Sequence, residues 1–196
     1  MKQYIAEFIG TLFLTLVVAV SLASGSAVPT PVVAGWTLGL LVYTIGHISG
    51  THINPAVTIG LWSLKKIKAK QALMYIVAQF LGAVGATIII KLMKIVPASV
   101  VVINSTPVFI AEMIGAAFFT FGIAAVVSNK VHEYLSGIVI GASLIVGIIL
   151  TGGVSNGVLN PAVAFGIRSF SWIYLLAPIA GSLIGMNLFR WLNRNS

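Results

Sequence analysis

Six long apolar segments, near residues 4–24, 31–48, 71–95, 107–128, 134–152 and 171–192, constrain this chain more than any other feature. Each is close to the roughly 20 residues that an α-helix needs to cross the hydrocarbon core of a bilayer. Pro, Gly and charged residues punctuate them, and the gap from Ser24 to Pro31 reads as a short turn. Soluble domains carry about 25% charged residues; this chain has 7%, against 59% hydrophobic residues, and cannot cover a water-facing surface. A closed β-barrel is the other structure able to span lipid, but its short alternating strands do not match continuous apolar runs. An all-α membrane protein is predicted.

The net charge of +8 is explained by where the charges sit. Six crossings put both termini on one side. With that side cytoplasmic, Lys2, Lys65, Lys66, Lys68, Lys70, Lys130, Arg190 and Arg194 are all inside, eight of the 11 basic residues. Lys91, Lys94 and Arg168 fall outside. The bias favours cytoplasmic termini and a multi-pass protein of the cell membrane. The lysine cluster is expected to set topology and touch anionic lipid. No basic patch interleaved with aromatics appears, so nucleic acid is not an expected partner. Glu7 interrupts the first apolar run, which therefore reads as an uncleaved helix and not a signal peptide.

The chain also repeats itself. Ala6-Glu7-Phe8-Ile9-Gly10 returns as Ala111-Glu112-Met113-Ile114-Gly115, and Asn54-Pro55-Ala56-Val57 as Asn160-Pro161-Ala162-Val163. Two unrelated matches at offsets of 105 and 106 indicate a tandem duplication, with residues 1–96 and 107–196 as its halves within one domain. Three spans per half is an odd number, so the halves insert with opposite orientations. The two Asn-Pro-Ala segments, 49–64 and 153–169, are too short to span. They enter from opposite faces and meet near the middle of the bilayer.

Asn before Pro is a helix start: Asn caps free N–H groups, and Pro at the first position loses no needed donor. Each short segment is thus a half-helix beginning at Asn54 or Asn160. Non-helical backbone at membrane depth is tolerated only where protein buries it or water wets it. Two positive helix ends facing one another repel cations and protons. The Asn54 and Asn160 amides are expected to donate to a passing molecule. The stretches Gly50-Thr51-His52-Ile53 and Asn156-Gly157-Val158-Leu159, read as extended, offer carbonyl acceptors. Such a tube conducts neutral, hydrogen-bonding molecules.

The run from Gly46 to Thr58 around Asn54-Pro55-Ala56 closely resembles the first-half motif of the aquaporin, or major intrinsic protein, family. Ala78-Gln79-Phe80-Leu81-Gly82-Ala83 resembles that family's third helix, and the two Ala-Glu-x-Ile-Gly segments its first and fourth. The resemblance covers nearly the whole chain. It implies six transmembrane helices plus two re-entrant half-helices, a homotetramer in the lipid bilayer, and one pore per subunit. It also implies that Glu7, Glu112 and Gln79 brace the half-helix loops, although intramembrane acids can equally serve proton coupling. The family usually has Arg after the second Asn-Pro-Ala; here that residue is Val163. The other outer-constriction positions carry over as Ala34, Ile148 and Gly157, a filter without charge. Glycerol facilitators have Asp where this chain has Ala164.

His52 either faces the inner vestibule or caps a turn, and His47 is either structural or part of a gate. Gly82, Gly85, Gly181 and Gly185 read as close helix-packing positions. The primary expectation is a passive channel for water, glycerol, ammonia or urea. A secondary transporter and a closed-pore structural protein are the alternatives, the former disfavoured by half-helix starts that carry no ionisable residue. Cysteine is absent, and no nucleophile–base pair, metal cluster or phosphate loop appears. No enzyme activity, cofactor or metal site is expected.

Overall fold

A computed structural model of the chain describes residues 1–23, 27–96 and 101–194. Part of the Ser24–Pro31 turn lies outside them. The described elements are α1 (Lys2–Ala23), α2 (Thr30–Ser49), α3 (Pro55–Ser63), α4 (Ala69–Leu92), α5 (Thr106–Val127), a 3-10 turn (Glu133–Leu135), α6 (Ser136–Thr151), α7 (Pro161–Gly166) and α8 (Trp172–Leu192). The described residues contain no strand.

Among the described residues, six helical spans are long and apolar enough to cross a membrane: α1, α2, α4, α5, α8, and Glu133–Thr151, in which α6 continues the 3-10 turn. Local chemistry sets their ends. Pro31 and Pro107 stand in the first turns of α2 and α5, where a missing N–H costs nothing. Gly50 closes α2 in the left-handed conformation, its N–H returning to Gly46 O at 2.8 Å. The lysine cluster is not all loop: Lys70 lies in the first turn of α4, since Lys is a good helix former.

Helices pack α1 on α4, α5 on α8 and α2 on α6. Small residues allow close approach, as expected where dispersion and not water exclusion holds helices together. A Cβ on Gly39 would stand 2.7 Å from Gly137 O, and one on Gly137 2.5 Å from Gly39 O. Gly82 lies against the α1 backbone at Phe8 and Leu12, and Gly181 against the α5 backbone at Met113 and Ala117. Large apolar side chains, Trp36, Leu40, Leu81 and Leu188 among them, face outward. The two short helices α3 and α7 lie inside and touch each other.

Candidate pore

Asn54 and Asn160 have extended backbones and cap their helices: Asn54 Oδ1 accepts from Ala56 N at 2.8 Å, and Asn160 Oδ1 from Ala162 N at 3.1 Å. Pro55, Ala56, Pro161 and Ala162 form the buried first turns behind them. The amide nitrogens cross over. Asn54 Nδ2 donates to Leu159 O, and Asn160 Nδ2 to Ile53 O, both at 2.9 Å. An Asn amide has two hydrogens, so one of each pair is tied to the opposite loop and one is left over.

The two loops are not plain extended chain. Gly50, Thr51 and Ile53 have positive φ, as do Gly157 and Leu159. A β-branched Ile53 at φ +39° is strained, and tertiary bonds hold it there. Glu7 accepts from His52 N at 2.9 Å, Ile53 N at 2.6 Å, Ser49 Oγ at 2.7 Å and Gln79 Nε2 at 2.8 Å. Glu112 accepts from Val158 N at 3.1 Å, Leu159 N at 2.9 Å and Ser155 Oγ at 2.6 Å. Tyr75 OH donates to Ser49 O, and Tyr174 OH accepts from Asn156 N. Ile53 packs on Gly10, and Leu159 between Gly115 and Gly147.

The loops diverge in their polar side chains. Around the first, Gln79 Nε2 also reaches Thr58 Oγ1 at 2.9 Å, and His52 Nδ1 lies 3.2 Å from the same hydroxyl. The His52 ring meets Tyr75 edge to face at 5.0 Å. The matching residues of the second loop and its helices are Val158, Ala164 and Pro178. The support behind the first loop is therefore more polar than that behind the second.

A cavity of about 150 Å³ runs from Leu22, Thr30 and Pro31 inward to His52, Asn54 and Asn160. Ala34, Ile148, Gly157 and Val163 all border it, as do Ile53, Asn156 and Val158. Among the described residues, His52 is the one ionisable group on its wall. Asn156 Nδ2 is held by Ser169 Oγ at 2.9 Å and Val101 O at 3.1 Å. Four of the positions expected along the pore or its vestibule lie off the cavity. His47 is exposed on α2; Gly50 is exposed at that helix's end; Thr51 is buried, its hydroxyl on Leu41 O at 3.2 Å; and Leu159 presents its carbonyl to Asn54 while its side chain packs away. Sequence reasoning missed the apolar wall of Leu14, Val18, Leu22, Leu38, Phe119, Leu144 and Ile167. Leu14, Val18 and Leu22 recur every four residues, which places them on one helix face; that spacing was the available signal.

Six apolar spans enclosing two half-helices that meet start to start, around a cavity with almost no ionisable lining, define a polytopic helical channel protein. The sequence profile described as Major intrinsic protein matches residues 1–189, and the chain belongs to that family. It is a channel for water or other small solutes, not an enzyme. Among its relatives, aquaporin NIP1-1 of Arabidopsis thaliana is 33% identical over 94% of this chain and 71% of its own length. Aquaporin AqpM of Methanothermobacter marburgensis is 32% identical, with 97% of each chain covered. Nodulin-26 of Glycine max is 35% identical over 94% of this chain and 75% of its own. The fold is similar to that of the aquaglyceroporin from Plasmodium falciparum, with a TM-score of 0.74 over 99% of this chain and 95% of that one, at 24% identity.

Proposed function

We propose that this channel passes water together with small, uncharged solutes of the size of glycerol or ammonia, and that Ala34, Ile148, Gly157 and Val163 form its outer constriction. The observation that carries this reading is the cavity that all four border along with both capping asparagines. None of the four brings a charge or a side-chain donor, so selection there works by size and dehydration. Deeper in, the leftover amide hydrogens of Asn54 and Asn160 are the donors. The helix starts of α3 and α7 add a positive field that opposes cations. Glu7 and Glu112 act as braces, because their oxygens are taken up by loop N–H groups and hydroxyls and neither borders the cavity.

In this reading residues 1–96 and 107–196 are inverted repeats. The functional assembly is a homotetramer in the cell membrane, with both termini cytoplasmic. Two of the relatives are named aquaporins, which supports water as one permeant; the aquaglyceroporin likeness supports the fold alone. Stopped-flow of the purified chain in liposomes, with water, glycerol and ammonia compared, tests the proposal. Fluxes linear in the gradient, with at least one solute passing beside water, are expected. Saturable uphill uptake, or no flux of any of the three, overturns it.

A further inference from the structure

We propose that a second cavity, between the C-terminal ends of α5 and α8, binds the phosphate-bearing headgroup of an anionic lipid. Its volume is about 590 Å³, and its walls include Ser128, Lys130, Asn187, Arg190, Trp191 and Arg194. Three of these are cations, and among the described residues no carboxylate side chain borders the cavity. The chain has three acids in all. Glu7 and Glu112 are fully buried against the loops, and Glu133 begins the 3-10 turn outside the cavity.

Basic residues at helix ends can simply neutralise the carbonyls gathered there. Neighbouring bonds already do part of that work: Lys66 Nζ donates to Val127 O at 2.9 Å, at the end of α5, and Asn193 Nδ2 to Phe189 O at 3.0 Å, near the end of α8. Arg190 reaches Ser63 O at 3.4 Å with one nitrogen, and a guanidinium has five N–H donors. Arg194 is exposed. Arg190 and Arg194 therefore bring more positive charge and more donors to the cavity than the helix ends consume.

Its position favours a lipid over a free anion. The rim carries Trp191, which is 67% exposed, with Leu188 and Leu192 exposed on the same turns. A ring of this kind sits at the boundary between headgroups and acyl chains. A ligand with an anionic head and an apolar tail meets both surfaces at once. Basic pockets between transmembrane helices recognise multiply phosphorylated headgroups in this way. Lys65, Lys66 and Lys68 on the α3–α4 connection and Lys70 in the first turn of α4 are exposed and lie outside the cavity walls.

The test is native mass spectrometry of the full chain in detergent, titrated with cardiolipin, phosphatidylcholine or inorganic phosphate. Wild type is expected to retain cardiolipin over phosphatidylcholine, and Arg190→Gln/Arg194→Gln to weaken that retention by roughly tenfold or more. Lys65→Gln/Lys68→Gln removes equal charge outside the cavity and is expected to leave retention within about twofold. If the double arginine variant does not fold, Arg194→Gln alone carries the comparison. Equal loss in the lysine and arginine variants overturns the site in favour of diffuse surface charge. Displacement of cardiolipin by millimolar inorganic phosphate, or no preference over phosphatidylcholine, overturns the lipid assignment.

Discussion

Val163 is nearly buried, packed at the start of α7 and facing the cavity with Ala34 and Ile148. Val163→Arg would place five N–H donors and a fixed charge at the proposed constriction, narrowing it. Glycerol flux is expected to fall at least about tenfold more than water flux, which corresponds to about 1.4 kcal/mol of added barrier. Paired liposome measurements at matched incorporation check this; an unchanged solute-to-water ratio contradicts it. Glu7 and Gln79 allow a sharper comparison. Removing the Glu7 carboxylate by Glu7→Ala strands four donors, two hydroxyl or amide and two backbone, at about 1–3 kcal/mol each. Gln79→Ala strands fewer groups and also removes Gln79 Oε1, which is buried without a partner. Thermal unfolding in detergent should show a much larger loss for Glu7→Ala than for Gln79→Ala. Similar losses would mean that the Glu7 bonds contribute little.

At the scale of elements, α2 and α6 approach so closely that Gly35 and Gly39 of one meet the carbonyl oxygens of Gly141 and Gly137 of the other, and the reverse. Gly39→Ala sets a methyl 2.7 Å from Gly137 O, whereas at Gly46 on the same helix a Cβ meets nothing nearer than 3.6 Å. Gly46→Ala is expected to raise the melting temperature, by up to the ~1 kcal/mol that helix propensity favours Ala over Gly. Gly39→Ala is expected to lower it; a rise in both would show that the helices can shift apart freely. The spans were legible because length and apolarity suffice to define a crossing. The starts of α3 and α7 were legible because Asn-Pro is a local signal. The kinship of α4 with α8 was hidden. Tyr75 matches Tyr174 and Gly82 matches Gly181 at an offset of 99, not the 105 or 106 of the other motifs, and Gln79 is matched by Pro178. The length of α7 was hidden too: it ends at Gly166, and two residues on the chain turns at Arg168 with φ +61°, a conformation that Arg does not signal. The backbone of Ile53 and Leu159 runs against local preference altogether. Only the glutamates of α1 and α5 and the crossed asparagines, distant in sequence, enforce it.

At the scale of the whole molecule, the chain contains no cysteine. Mercuric ions are therefore expected to leave its flux unchanged over the micromolar range; inhibition that a thiol reverses would contradict this. The crossed bonds at the centre also reach beyond transport. Asn54 donates to a carbonyl 105 residues away, and Asn160 to one 107 residues away. During synthesis the first three spans emerge long before Leu159 does, and throughout that interval the Asn54 amide and the Ile53 carbonyl have no mate. Each central loop completes these hydrogen bonds only against the other, so the last step of maturation is expected to be their docking. A chain severed in the connection between α4 and α5 retains every group needed for that docking.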